Sequence, residues 1–443
     1  MARQRRPIAI DLFAGAGGLS LGFEQAGFDV VAAVEVDPIH CAIHQFNFPH
    51  CAVVPQSVAA VSAIALRRLA KLGDRPVDVV FGGAPCQGFS LMGQRILDDP
   101  RNRLVREFVR LVAELGASYF VFENVKGLTV GRHRQFLHEL IDEFEAKGYE
   151  IKLPWKVLNA SSFGVPQNRE RLILMGAKKG LPLPNYPEPK TRPAGSKDNG
   201  LPEGPSCYEA LQDLPNADEF DLLKFQDWME LPPERWRSPS AYGKLMRCVD
   251  GEGWFYGYRR PWNERLLTSS FRTNHTDISR RRFAETQPGE VEPVSRFFRL
   301  PPDGVSNTLR AGTDAARGAF TSPRPIHYEH DRCITVREMA RLHGFPDWFR
   351  LHGTKWHGAR QVGNAVPVPL GRAIAAELMN TLGRKPTVPT AEIALGEAAL
   401  TAMEMSQAAR YWQIEVPIAR RDRKSGVTKR SQEEVEATRA TGF

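Results

Sequence analysis

The chain has 443 residues, 42% hydrophobic and 25% charged, a composition of ordinary globular proteins with room for two domains or one domain carrying a large insertion. Its net charge of +8 admits an anionic partner such as nucleic acid without requiring one. The six cysteines (Cys41, Cys51, Cys86, Cys207, Cys248, Cys333) form no CxxC pair or Cys/His cluster, which excludes a structural zinc and a disulfide framework; with no membrane-length apolar run and no signal-peptide core, a cytoplasmic protein with reduced thiols is expected.

Ile8 to Phe13 reads as a short buried strand running into Asp11-Leu12-Phe13-Ala14-Gly15-Ala16-Gly17-Gly18, and a helix follows to Gly27. Strand, glycine turn and helix form the unit that binds nucleosides at the edge of a parallel sheet, because glycine lets backbone amides approach a ligand. The spacing is not GxGxxG, which disfavours a dinucleotide; a purely structural turn is the other reading. The next strand, Val30 to Val34, ends at Glu35-Val36-Asp37, where a carboxylate can accept from both ribose hydroxyls; Glu35 is the first choice and Asp37 the second. A helix over Ile39 to Phe46, a weak strand over Ala52 to Val54 and a helix from Ser57 to Leu72 come next.

The apolar run Val77 to Phe81 reads as a strand, broken by Gly82-Gly83-Ala84-Pro85-Cys86-Gln87-Gly88-Phe89-Ser90. A thiol on a sharp turn at the carboxyl end of a strand is placed for nucleophilic work, while a buried cysteine capping the strand is the alternative. Leu91 to Pro100 has no sheet or helix period and reads as a mobile loop over the site. A helix from Asn102 to Glu114 leads to the strand Tyr119 to Phe122, which ends in Glu123-Asn124-Val125. Glu123 either faces the same crevice as Cys86 or caps the next helix, Arg134 to Lys147. A strand over Tyr149 to Val157 precedes Gln167-Asn168-Arg169-Glu170-Arg171 and the strand Leu172 to Gly176.

Leu181 to Pro205 reads as a linker. From 206 to 330 the chain is irregular, and stretches such as Trp254-Phe255-Tyr256-Gly257-Tyr258-Arg259-Arg260 interleave aromatic with basic residues. That pattern fits a nucleic-acid surface and equally the core and rim of a small β-rich domain. Ile334 to Phe345 reads as a helix with Thr335 at its N-cap and Glu338 at the capping-box position. Gln361-Val362-Gly363-Asn364-Ala365-Val366-Pro367 precedes a helix over Val368 to Leu382. A last helix is expected over Thr390 to Ala409, then a charged tail over Ala419 to Thr438 that reads as solvated or disordered.

Six stretches in this order resemble the DNA cytosine-C5 methyltransferase family: the Asp11–Gly18 turn, Gly83–Ser90, Phe122–Val125, Gln167–Arg171, Arg337-Glu338-Met339-Ala340-Arg341-Leu342-His343-Gly344-Phe345-Pro346, and Gln361–Pro367. The resemblance implies an α/β fold, a Rossmann-like S-adenosylmethionine-dependent methyltransferase sheet with helices on both faces, plus a smaller irregular or β-rich target-recognition domain. It implies residues 1–184 as the catalytic and cofactor-binding domain and 185–330 as the target-recognition domain. Residues 331–383 are then motif-bearing helices, the last returning to the catalytic domain, and 384–443 a C-terminal extension, partly helical and then disordered.

By the same resemblance Cys86 is the nucleophile that adds to C6 of cytosine, Glu123 holds N3 and the exocyclic amine, and Arg171 bonds O2, with Arg169 as the alternative. S-adenosyl-L-methionine would sit on Phe13, Ala14 and Gly15 and on Gly17, Gly18 and Leu19, with Glu35 on the ribose. Val36, Ser57, Val58, Pro85, Asn102, Leu104, Asn364, Ala365 and Val366 would complete its site. The family usually places an aspartate after the third strand for the adenine amine; this chain has Gln56-Ser57-Val58 there. The expected partners are duplex DNA, from which the target base must be flipped, and a restriction endonuclease of the same site, with the chain acting as a monomer. An RNA cytosine methyltransferase and a catalytically silent DNA-binding relative are the competing readings; the GAGG spacing and the Pro-Cys turn disfavour an oxidoreductase.

Overall fold

A computed structural model describes residues 5–85, 102–131, 133–249, 251–312 and 323–416. In chain order the first half holds β1 (Ile8–Leu12), α1 (Gly18–Gln25), β2 (Asp29–Val34), α2 (Pro38–Asn47), β3 (Ala52–Val54), α3 (Ala63–Leu69), β4 (Val79–Gly82), α4 (Arg103–Glu114), β5 (Tyr119–Val125), α5 (His133–Ala146), β6 (Tyr149–Ile151), β7 (Lys156–Asn159) and β8 (Glu170–Lys178). The second half adds α6 (Cys207–Leu211), β9 (Met229–Glu230), α7 (Ala241–Arg247), β10 (Leu266–Leu267), α8 (Asp277–Glu285), α9 (Val336–Leu342), α10 (Lys355–Asn364), α11 (Val368–Thr381) and α12 (Met405–Tyr411).

The main sheet runs β3-β2-β1-β4-β5-β8-β6, with β7 also on β8. The first five strands of that row are parallel and β8 is antiparallel to its neighbours. All five residues of β1 are buried, as expected of a central parallel strand covered on both faces. Alternate side chains feed two cores. On one face Ile10, Val80 and Phe120 meet Phe108 of α4 and Phe144 of α5, with the Phe120 and Phe144 rings stacked at 3.8 Å. On the other Ala9, Phe81 and Val121 meet Phe23 of α1 and Ile374 and Leu378 of α11, with Phe23 stacked on Phe81 at 3.8 Å. The fold is therefore the α/β class expected from the sequence.

α11 returns to the sheet by packing directly on α1. A Cβ at Gly22 would sit 2.7 Å from the Arg372 backbone nitrogen, so glycine is what allows the two helices this close. Several boundaries differ from the sequence reading for local reasons. The helix expected from Ser57 is a 3₁₀ turn, Val58–Ala60, followed by α3, because Ser57 and Ser62 each cap a separate start. The strand expected over 149–157 splits into β6 and β7. The helix expected over 390–409 is a 3₁₀ turn, Ala398–Thr401, and α12. Residues 185–330 are irregular: their described part holds three short helices, several 3₁₀ turns and one two-stranded ribbon, β9 with β10. The charged tail 419–438 lies outside the described residues, and among those described no helix is long and apolar enough to cross a membrane.

Buried charge ties the irregular region to α9. Thr335 and Glu338 form the expected capping box, and Glu338 also takes two hydrogen bonds from Arg332. Arg341, fully buried, pairs with Asp347 through Nε at 2.6 Å and Nη2 at 2.7 Å, and with Asp213 through Nη1 at 2.9 Å and Nη2 at 3.1 Å. Burial acts to raise the Asp347 carboxyl, but the Arg341 charge and hydrogen bonds outweigh it and hold the group below the usual carboxylate range. Arg341→Met strands two buried carboxylates and is expected to cost about 3–5 kcal/mol in urea unfolding at pH 7. A depressed carboxylate stabilises the fold above its unfolded pKa and loses that contribution as pH falls through the folded one, so the difference between variant and parent should shrink below about pH 4.

Candidate active site

The turn after β1 is the first wall of the site. Phe13 adopts φ 66°, a left-handed conformation rare for an aromatic residue, and Gly15 and Gly17 follow at 55° and 99°. Phe13 and Ala14 N–H both donate to Val34 O, at 2.9 and 3.1 Å, so the turn is strapped to the end of β2. The next residue there is Glu35. Its Oε1 accepts from Val36 and Asp37 N–H (2.8 and 2.9 Å) and its Oε2 from Gly15 N–H (2.8 Å), which aims the carboxylate across the turn and leaves Oε2 an acceptor position for a hydroxyl. Asp37, the second choice for that role, caps α2 by accepting from Ile39 and His40 N–H.

A cavity of about 920 Å³ extends from this turn along the carboxyl edge of the sheet, within the range of small-molecule sites. Phe13, Ala14, Gly15, Gly18 and Leu19 form one wall with Glu35 and Val36. Beyond β3 the wall is Gln56, Ser57 and Val58, and toward β4 it is Pro85 and Leu104. Asn364, Ala365 and Val366 close it from α10 and the turn that follows. Gly18 has to be glycine, since a Cβ there would lie 2.8 Å from Val366 O. An acceptor for vicinal hydroxyls, a backbone turn with free approach and apolar surface on either side fit a nucleoside-bearing cofactor.

Glu123 and Arg171 stand at the other end of the same cavity. β5 and β8 pair with Val125 opposite Arg171, which brings Arg171 Nε to 2.7 Å from Glu123 Oε1. Gly83 makes room for the carboxylate: a Cβ there would meet Glu123 Oε2 at 2.5 Å. Asn124 Nδ2 donates to Ala84 O at 2.8 Å and so holds the segment that ends at Pro85 against β5. Burial raises the Glu123 pKa and outweighs the opposing charges of Arg171 and Arg169. The carboxyl therefore keeps its proton to higher pH than a free glutamate. Cys86 and the loop 91–100 lie outside the described residues.

Three of the residues singled out in the sequence do not line the cavity. Arg169 is buried and its guanidinium donates to Leu309 O at 2.9 Å, Gly363 O at 2.6 Å and Ala365 O at 3.0 Å. Gly17 precedes α1 with its α-carbon toward Phe48, where a Cβ would come within 2.5 Å of the ring. Asn102 is buried at the cap of α4. Conversely Asp11 and Gln361, inside quoted motifs but not singled out, line the cavity, as do His40, Arg360 and Met405 outside any cofactor motif. His40 follows the Glu35 signal by five residues and could have been placed by the start of α2; Met405 carries no sequence signal.

The family model for C-5 cytosine-specific DNA methylases matches residues 8–380. The type II methyltransferase M.XorII of Xanthomonas oryzae pv. oryzae is 55% identical over 94% of this chain and 95% of its own. M1.HphI of Haemophilus parahaemolyticus, also a type II methyltransferase, is 35% identical over 84% of this chain and 87% of its own. Among solved structures, a prophage-encoded E. coli chain described as a DNA modification methyltransferase superposes with a TM-score of 0.67 at 31% identity, covering 85% of this chain and all of that one. A carboxylate with an acceptor position free beside the glycine turn, a glutamate of raised pKa beside an arginine at the far end and this breadth of similarity converge on one assignment: the chain belongs to the C-5 cytosine-specific DNA methylase family and uses S-adenosylmethionine to methylate DNA cytosine at C5.

Proposed function

We propose that Cys86, Glu123 and Arg171 carry this reaction on a cytosine turned out of a duplex. The observation that supports the reading is the Glu123–Arg171 pair at 2.7 Å, at the cavity end where the described chain breaks off at Pro85, one residue before Cys86. C5 of cytosine is a weak nucleophile. Addition of the Cys86 thiolate to C6 opens the C5–C6 double bond and moves electron density toward C5 and the N3/O2 side. Glu123, holding its proton, donates it toward N3 and keeps the exocyclic amine in place. Arg171 offsets charge on O2. The turn at Phe13–Gly15 and Glu35 would hold S-adenosylmethionine, which would supply the electrophilic methyl group for C5 and leave as S-adenosylhomocysteine. Loss of the C5 proton to solvent then restores the double bond and expels the Cys86 thiolate, and the N3 proton returns to Glu123.

A base stacked in a duplex cannot present C6 to a thiol, so extrusion of the target costs a few kcal/mol before chemistry begins. We assign residues 185–330 to target recognition, with arginines on phosphates and polar side chains in the major groove. The type II methyltransferase names of both relatives support modification paired with a restriction endonuclease of the same site, and we assign the chain to the cytoplasm as a monomer.

Transfer of labelled methyl to mixed-sequence duplex DNA, followed by bisulfite sequencing, should show incorporation at C5 within one short sequence. Incorporation into transfer RNA and none into DNA would overturn the substrate assignment. Cys86→Ser is expected to abolish turnover and covalent trapping on 5-fluorocytosine DNA; a variant that still traps removes Cys86 from its role. The raised Glu123 pKa means that activity dependent on its proton is present below that pKa and lost as pH rises through it. Glu123→Gln should slow turnover by about 10²–10⁴-fold and lose that alkaline limb, as read from kcat against pH.

A further inference from the structure

The family match ends at residue 380, yet the chain beyond it returns to the cofactor cavity. This segment runs back along α2, from the carboxyl end of that helix to its start. Gly396 N–H donates to Phe46 O at 2.8 Å, and a Cβ at Gly396 would lie 2.9 Å from the Phe46 α-carbon, so only glycine permits this approach. Leu400 buries itself with Ala42 and Phe46. Gly353 N–H donates to Thr401 O at 2.9 Å, and His352 Nε2 meets Met403 O at 3.0 Å. Glu404 N–H donates to Gln407 Oε1 at 2.9 Å in the first turn of α12, Ala408 and Ala409 are buried, and Trp412 Nε1 donates to Pro38 O at 3.2 Å. The strap is thus fastened at both ends of the helix that begins three residues after Glu35, and Met405, the first residue of α12, is held in the cavity wall.

The position of Met405 along the cavity follows from the chemistry at its two ends. The transferable methyl has to lie near Glu123 and Arg171, and Glu35 takes the ribose, so the adenine lies on the far side of Glu35. An adenine ring offers two broad faces. The residue beside Glu35 on that side is Val36, a small side chain that is 59% exposed and cannot cover a purine alone. A thioether is flexible and polarisable, and packs well against aromatic rings. On the same wall stands the buried His40, with its Nε2 3.9 Å from Asp37 Oδ2.

We infer that residues 395–412 form a strap that completes the adenosine end of the cofactor site, with Met405 covering the adenine face that Val36 leaves open. Met405 is a positioning residue, remote from the methyl transfer. The inference rests on S-adenosylmethionine as the cofactor, and binding of S-adenosylhomocysteine by the unaltered full chain tests that separately.

Two probes locate the effect: S-adenosylhomocysteine, and methylthioadenosine, which lacks the amino-acid end. By titration calorimetry Met405→Ala should weaken both by the same factor, about five- to tenfold, the scale of uncovering one to two buried methylene groups. Met405→Leu should restore both to within about twofold. In steady-state assays the KM for cofactor should rise with kcat and the KM for DNA unchanged. The proposal fails if Met405→Ala binds both probes like the parent, or if only S-adenosylhomocysteine is weakened, which would place Met405 at the amino-acid end. It also fails if the KM for DNA rises instead, or if the loss follows a lowered melting temperature of the ligand-free chain that Met405→Leu does not rescue.

Discussion

One buried guanidinium holds the carboxyl edge of the sheet to chain that is nearly 200 residues away. Arg169, just before β8, forms no ion pair among the described residues; its guanidinium donates to the carbonyls of Leu309, Gly363 and Ala365. Burial and the neighbouring Arg171 charge push its pKa well down against the smaller opposing pull of Glu123. Two neighbours complete the knot. Gln167 accepts from Leu309 N–H at 3.1 Å and its amide nitrogen donates to Leu342 O at 3.1 Å and lies 2.9 Å from His343 Nδ1. That donation requires the neutral His343 ring to carry its proton on Nε2, which lies 3.0 Å from Ala365 O and donates to it. Burial lowers the His343 pKa far enough to keep the ring neutral and the arrangement intact.

Because of that knot, the turn at 363–366 is not a loop free to find its own position. It is pressed onto the start of α1, where Gly18 meets Val366, and α11 continues from it along α1 through Gly22 and Gly371. Three stretches that look independent in sequence, at 167–171, 337–346 and 361–367, are one hydrogen-bonded unit that closes the cofactor cavity. Arginine suits this role where lysine would not, since its planar fork reaches several carbonyls at once.

The far end of the cavity shows the same two forces with the opposite balance. Glu123 has a close arginine, but burial outweighs it and raises the carboxyl above its ordinary pKa. Gly83 leaves space for the carboxylate and Asn124 fastens the preceding strand's exit beside it. The carboxyl beside that guanidinium is thus tuned by environment as much as by residue type.

The alternation of apolar runs with helical segments, the glycine turn after β1 and the acidic residue ending β2 made the α/β sheet and the cofactor edge legible from residue order, because strand ends in a parallel sheet share one side. The Thr335 and Glu338 cap was equally local and equally readable. What residue order could not decide was which of two nearby arginines faces the cavity, since both positions look alike along the chain and only the approach of 309 and 363–365 separates them. Nor could it place Met405, whose position depends on a strap packing across α2 rather than on spacing. Local pattern determines elements and their ends; contacts between segments hundreds of residues apart depend on shape and buried charge, and these exist only once the chain has folded.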